Sequence, residues 1–166
     1  MPERKGRQFR LSVPSESQYL DLIRDFVGKL AAKAGFDEDY VNKIQLAVDE
    51  ACTNVVKHAY KGRKKAGELT VEAVLNAAKL SISVVDHGRG FNVNEILDRD
   101  INNHLLEFRR GGLGIHLMKI LMDEVRFTIE PGKETRVELV KYRNRKDSPE
   151  KQKQQRLLME RSHERK

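Results

Sequence analysis

The chain has 166 residues, with 39% apolar and 34% charged residues and a formal net charge of +7. That length supports one hydrophobic core and not two, and the apolar content argues against a wholly disordered chain. No apolar run approaches the ~18–20 residues of a membrane span, and the N-terminal stretch MPERKGRQFR has no apolar signal region. The one cysteine, Cys52, excludes an intramolecular disulfide framework and a multi-cysteine zinc site, and five histidines without paired spacing argue against zinc in general. A cytoplasmic protein is the expectation. The charge is uneven: residues 141–166 hold ten basic and four acidic side chains, so the first 140 residues are close to neutral. We therefore divide the chain into a folded domain, 1–140, and a basic tail, 141–166, read as a solvated, disordered or helical segment after Ser148-Pro149. The alternative is an arm that docks on an acidic partner or a nucleic acid.

In chain order, Phe9 to Val13 alternates and reads as a short strand. Ser15-x-x-Gln18 forms a capping-box pattern before the helical period Tyr19, Leu22, Ile23, Phe26, Leu30, Ala34, which Gly35 closes. Asp37 is placed to cap a second helix, with Glu38 and Asp39 in its first turn and Phe36 and Val41 as a hydrophobic staple. Ile44, Val48, Ala51 and Val55 form its buried stripe, and it is expected to stop near Gly62. The period then becomes two. Leu69, Val71, Ala73 and Leu75, then Leu80, Ile82 and Val84, describe a hairpin turning at Asn76 to Lys79. From Asp86 to Gly114 periodicity is lost over a stretch with five glycines, a long loop with one helical turn near Val93 to Arg99. A helix from Gly112 to Met122 and two strands around Pro131-Gly132 complete the chain. The fold expected is α+β: a two-layer sandwich with helices on one face of a mixed, mostly antiparallel sheet.

Three clusters could carry chemistry. Glu50, Asn54 and His58 are spaced by four and share a helical face. A carboxylate beside a carboxamide suits a general base next to a Mg²⁺ ligand, since Mg²⁺ takes oxygen ligands and keeps waters and phosphate oxygens. An ordinary polar helix face shows the same spacing. Asp86-His87-Gly88-Arg89-Gly90 follows the strand LSISVV: the Asp can accept from an exocyclic amine, and the glycines let backbone approach a flat ligand, although a plain loop reads alike. Gly111-Gly112-Leu113-Gly114 opens a helix, where free N–H groups and the positive dipole end favour phosphate; helix punctuation is the bland alternative. It is neither a P-loop nor a G-x-G-x-x-G, because no Gly-Lys-Ser/Thr follows and position 117 is Leu.

Taken together and in this order, the clusters resemble the histidine-kinase-like (GHKL, Bergerat-fold) ATPases, and within them the small bacterial anti-sigma factor serine/threonine kinases. IQLAVDEACTNVVKHAY and GGLGIHLMKILMDEV carry the resemblance, which covers roughly Phe9 to Val140. It implies that ATP and Mg²⁺ bind, with Glu50 as the catalytic base that activates the attacking hydroxyl and Asn54 as the Mg²⁺ ligand. Asp86 would read the adenine amine, Gly88 and Gly90 would shape the pocket, and Thr135 would support the adenine end. Gly112, Leu113 and Gly114 would meet the phosphates. Residues 92–110 would form the ATP lid, with Arg109 or Arg110 neutralising phosphate charge; His58 fits a common motif position, but a lone helical His has many structural uses, so packing or support of a neighbouring site residue is expected of it rather than catalysis. The implied partners are a sigma factor and a STAS-type anti-sigma-factor antagonist, and a homodimer is expected. No phosphoacceptor-His helix or sensor segment is evident, which disfavours a sensor histidine kinase. A nucleotide-gated protein-binding module without kinase activity is the alternative. Direct nucleic-acid binding is expected only if the basic tail provides it.

Overall fold

The computed structural model describes residues 6–59, 67–88, 113–130 and 133–144. Five strands, β1 (Arg7–Pro14), β2 (Glu68–Leu75), β3 (Lys79–Asp86), β4 (Glu124–Glu130) and β5 (Glu134–Tyr142), form a single sheet in the order β1-β2-β3-β5-β4. Three helices, α1 (Leu20–Lys33), α2 (Glu38–Asn54) and α3 (Leu113–Leu121), supply the second layer. This is the expected two-layer α+β architecture. All four strand junctions are antiparallel, so the sheet lacks the mixed character expected of it among the described residues.

Strand alternation positions the core. Leu69, Val71 and Ala73 of β2, Leu80, Ile82 and Val84 of β3, and Val137 and Leu139 of β5 all turn to the helix side. There they meet Ile23 and Val27 of α1, Ile44, Val48 and Ala51 of α2, and Ile115 and Met118 of α3. On the opposite face, Arg136 bridges Glu72 and Glu134, and Arg126 pairs with Glu138. Asn76 builds the hairpin turn by accepting from the N–H groups of Ala78 and Lys79, each at 2.9 Å.

The helix ends follow local chemistry, with two exceptions. Gly35 has φ +87°, a left-handed conformation suited to glycine, and Asp37 caps α2 by accepting from the Tyr40 N–H at 2.9 Å. The Ser15-x-x-Gln18 capping box does not form. A 3-10 turn over Ser17–Tyr19 intervenes, the Gln18 amide donates to Glu16 at 2.6 Å, and the buried Ser15 hydroxyl has no hydrogen-bond partner among the described residues. The α-helical part of α2 ends at Asn54 and continues as a π-turn over Val55–Ala59; the expected stop near Gly62 lies outside the described residues. The last strand runs two residues beyond the expected 140/141 boundary. Lys141 is therefore part of the folded body: its buried ammonium donates to the Leu121 carbonyl at 2.9 Å and to Asp123 at 3.2 Å, and lies 5.1 Å from the Tyr40 ring centroid. No helix among the described residues is long and apolar enough to cross a membrane.

Candidate active site

α2 and α3 meet at a glycine. A Cβ added to Gly114 would lie 2.7 Å from Glu50 Oε2 and 3.7 Å from Asn54 Nδ2. Glu50 and Asn54, one helical turn apart, therefore both face the first turn of α3. A residue larger than glycine at 114 would push on the carboxylate, which gives a packing reason for glycine there independent of backbone conformation. The helix N-terminus is the positive end of the α3 dipole, so it places favourable partial charge beside Glu50 and toward any bound anion. Glu50 and Asn54 are half-buried, open enough to be reached and packed enough to hold orientation.

A second pole lies at the end of β3. Asp86 pairs in register with Thr135 of β5, and both side chains are buried. Asp86 Oδ1 accepts from the Gly88 N–H at 2.8 Å, while Oδ2 has no hydrogen-bond partner among the described residues. Burial raises the Asp86 pKa above the usual carboxylate range; the Gly88 hydrogen bond and His87 oppose the shift, and Glu134 adds to it. A buried acceptor left open is expensive unless a donor arrives, so Oδ2 suits an amino group brought by a ligand. His87 Nδ1 lies 3.0 Å from the Lys133 carbonyl and ties the end of β3 to the start of β5.

The structure thus joins Glu50, Asn54 and Gly114 at one pole and Asp86, Gly88 and Thr135 at the other. Leu113 opens α3 with its side chain exposed. Gly90, Gly112, Arg109, Arg110 and the expected lid at 92–110 lie outside the described residues, as do the His58 side chain and residues 145–166. Cys52 is fully buried inside α2, and burial pushes its thiol far above the usual range, so it is a packing residue. Lys141 was missed as a structural residue: sequence reading placed it in the basic tail. The signal available was the alternation Thr135, Val137, Leu139, Lys141, which continues the inward-facing series of β5.

Comparison with known proteins gives the class to which this two-layer fold belongs. Residues 13–141 match the family described as "Histidine kinase-like ATPase domain". Curated relatives include "Serine-protein kinase RsbW" of Listeria monocytogenes, 36% identical over 144 residues that cover 84% of this chain and 90% of the relative. The protein of the same name from Bacillus licheniformis is 33% identical over 147 residues, covering 86% of this chain and 90% of the relative. Among solved structures, the RsbU and RsbW domains of a Mycobacterium tuberculosis protein share the fold, with a TM-score of 0.59 at 19% identity over 83% of this chain and 33% of that one. The chain belongs to the RsbW family of serine-protein kinases within the histidine kinase-like ATPases.

Proposed function

We propose that this protein binds Mg-ATP between the two poles and phosphorylates a Ser or Thr of an anti-sigma-factor antagonist. We further propose that it sequesters a sigma factor in a cytoplasmic partner-switching cycle, as a homodimer. The observation that carries the reading is the convergence of Glu50 and Asn54 on the N-terminus of α3 at Gly114, which lies far along the chain from both.

The donor set suits the cofactor. The open, buried Asp86 Oδ2 accepts an exocyclic amine such as that of adenine, with Gly88 holding the other oxygen and Thr135 beside it. Asn54 is the residue that would hold Mg²⁺, its amide oxygen being a ligand the ion accepts alongside water and phosphate oxygens. Bound Mg-ATP supplies the γ-phosphoryl group and the cationic charge that offsets its oxygens. Glu50 accepts the proton of the incoming hydroxyl, its carboxylate packed close to Gly114. The first turn of α3, which Leu113 opens, directs backbone donors and the positive dipole end at the phosphates, and the family resemblance assigns Gly112 to them as well. The family resemblance assigns Arg109 or Arg110 to phosphate charge and Gly90 to the adenine pocket; all three lie outside the described residues.

The test is transfer of label from [γ-³²P]ATP to a purified STAS-domain antagonist. Phosphorylated antagonist is the expected result. Nucleotide-dependent capture of the antagonist with no phosphoprotein would overturn the kinase half and leave a nucleotide-gated binding module. Sedimentation of the full chain reads the homodimer.

A further inference from the structure

α3 meets the site at its first turn, where Gly114 lies against Glu50. Its other end is held by a charged side chain inside the core. Thr135, Val137, Leu139 and Lys141 form the inward-facing series of β5, and all four are buried, Lys141 at 7% exposure. A buried ammonium is costly unless it is paired and hydrogen-bonded. Lys141 Nζ finds partners on three segments. It donates to the carbonyl of Leu121, the last residue of α3, at 2.9 Å and to Asp123 Oδ1 at 3.2 Å. It also lies 5.1 Å from the ring centroid of Tyr40, in the first turn of α2. Asp123 is itself tied to β5 twice: its N–H donates to the Val140 carbonyl at 3.0 Å, and its Oδ2 accepts from the Tyr142 N–H at 2.8 Å.

These hydrogen bonds have direction, which apolar burial lacks. Ile115, Met118 and Met122 hold α3 against the core. The Leu121 carbonyl is one of the terminal acceptors that a helix cannot satisfy internally, and a cation there complements the negative end of the helix dipole. α2 and α3 are therefore joined twice, through Gly114 and Glu50 near the start of α3 and through Leu121, Lys141 and Tyr40 at its end. Gly114 and Leu121 are about 10 Å apart at the helical rise, so a tilt of ~5° about the far end moves Gly114 by about 1 Å.

We propose that Lys141 is a positioning residue for phosphoryl transfer: by pinning the C-terminal end of α3 to α2 and β5, it sets how Gly114, at the opposite end, packs against the Glu50 carboxylate. This rests on the reading of Glu50 as the base. Lys141 acts through α3, and its effect on the reaction is an effect on where Glu50 sits.

The experiment uses the full chain and a purified STAS-domain antagonist. Lys141→Met keeps the apolar stem and removes the ammonium. Asp123→Asn, at a half-buried position, loosens the same pin and is judged by the same criteria if Lys141→Met does not fold. Val13→Ala, a core truncation on the edge strand β1, is the control for lost stability. Single-turnover transfer at saturating ATP and antagonist is measured at a temperature where thermal unfolding shows every variant folded. Lys141→Met should slow transfer roughly tenfold, less than the ~10²-fold that a 1 Å misplacement can produce. Val13→Ala should transfer at the wild-type rate. In the Glu50→Ala background the residual rate should not respond to Lys141→Met, because the group being positioned is gone. In NMR spectra of Lys141→Met, the Glu50 and Gly114 amides should shift while the Gly88 amide stays in place.

An unchanged transfer rate overturns the proposal. So does a loss by the same factor in the wild-type and Glu50→Ala backgrounds, or in Val13→Ala, since either marks a general weakening of the fold. Wild-type protein that transfers no phosphate sinks the reading of Glu50 instead, and the Gly114 and Gly88 amides still decide whether Lys141 sets that contact.

Discussion

The two poles of the site are built by different means. At the Asp86 pole the strand register does the positioning: Asp86 faces Thr135 across two hydrogen-bonded strands at the centre of the sheet, and neither side chain reaches solvent. At the Glu50 pole, two helices touch through one glycine, and the groups concerned are half-buried. A sheet register cannot shift by a fraction of a residue, because a one-residue slip turns every side chain over. A helix contact can adjust by tenths of an ångström. Recognition of an invariant planar group therefore suits the first pole. Chemistry that must open to an acceptor and close around it suits the second.

The largest expected effect separates the poles outright. Glu50→Ala removes the proposed proton acceptor and leaves the Asp86 pole intact. Transfer to the antagonist should fall by roughly 10²–10⁴-fold, the usual contribution of a general base. Nucleotide affinity measured by calorimetry should change little. Equal losses of both would show that the two poles are not separate.

Asp86→Asn is the converse. A hydrogen bond to a charged group contributes about 1.5–3 kcal/mol, so nucleotide Kd should rise roughly 10–100-fold. Stability should move the other way, with a defined pH dependence. Asp86 holds its proton to higher pH in the folded chain than its ordinary value of 3.8, because burial disfavours the charge. In the window above 3.8 the folded state therefore binds more protons at this site than the unfolded state does. Stability falls as pH rises through that window. Asp86→Asn removes this slope. Its stability relative to wild type should improve from pH 3.8 upward and level off above the raised pKa, as read by thermal unfolding across pH. A difference that is flat with pH would show that Asp86 ionises normally.

Much of each pole was legible before any coordinates, and the reasons differ. The inward series Leu80, Ile82, Val84 put Asp86 at the end of a half-buried strand, because strand period two is a direct consequence of backbone geometry. The spacing of Glu50 and Asn54 put them on one face for the same kind of reason. The opposition of Asp86 to Thr135 was not legible by period, since it depends on β5 entering the sheet between β3 and β4. Nor was the contact of Gly114 with Glu50, sixty-four residues away. The family resemblance assigned these residues to one ATP site but gave neither contact. Ser15-x-x-Gln18 misled because the cap signal presumes that the helix starts at once; here a 3-10 turn intervenes, and Gln18 finds Glu16.

Gly114→Ala tests how tightly the adjustable pole is set. The new Cβ would meet Glu50 Oε2 at 2.7 Å, the end of a side chain able to give way. Transfer should drop by roughly tenfold, less than the ~10²-fold that a 1 Å misplacement can produce. Shortening the carboxylate relieves the clash, so Glu50→Asp should cost less in the Gly114→Ala background than in wild type. A double-mutant cycle of single-turnover rates reads that coupling. Strict additivity would mean that Gly114 does not set the position of Glu50.

The smallest effect belongs to the other glycine at a helix contact. At Gly28, where α1 crosses α2, an added Cβ would collide with the Gln45 side-chain amide, which donates to the Arg24 carbonyl at 2.9 Å. The amide is a flexible end and can swing into solvent, so the loss is one exposed hydrogen bond, about 0.5–1.5 kcal/mol. Alanine returns roughly 0.5–1 kcal/mol through better helix propensity. Gly28→Ala should therefore shift thermal stability by less than about 1 kcal/mol, a few degrees at most for a chain of this size. Nucleotide Kd and transfer rate should both stay at wild-type values. The two glycines are alike in sequence and in crowding; they differ in what a methyl group displaces, an idle amide at Gly28 and the Glu50 carboxylate at Gly114. A transfer defect in Gly28→Ala would show that the α1–α2 contact also sets Glu50, and the adjustable pole would then extend across the whole helix layer.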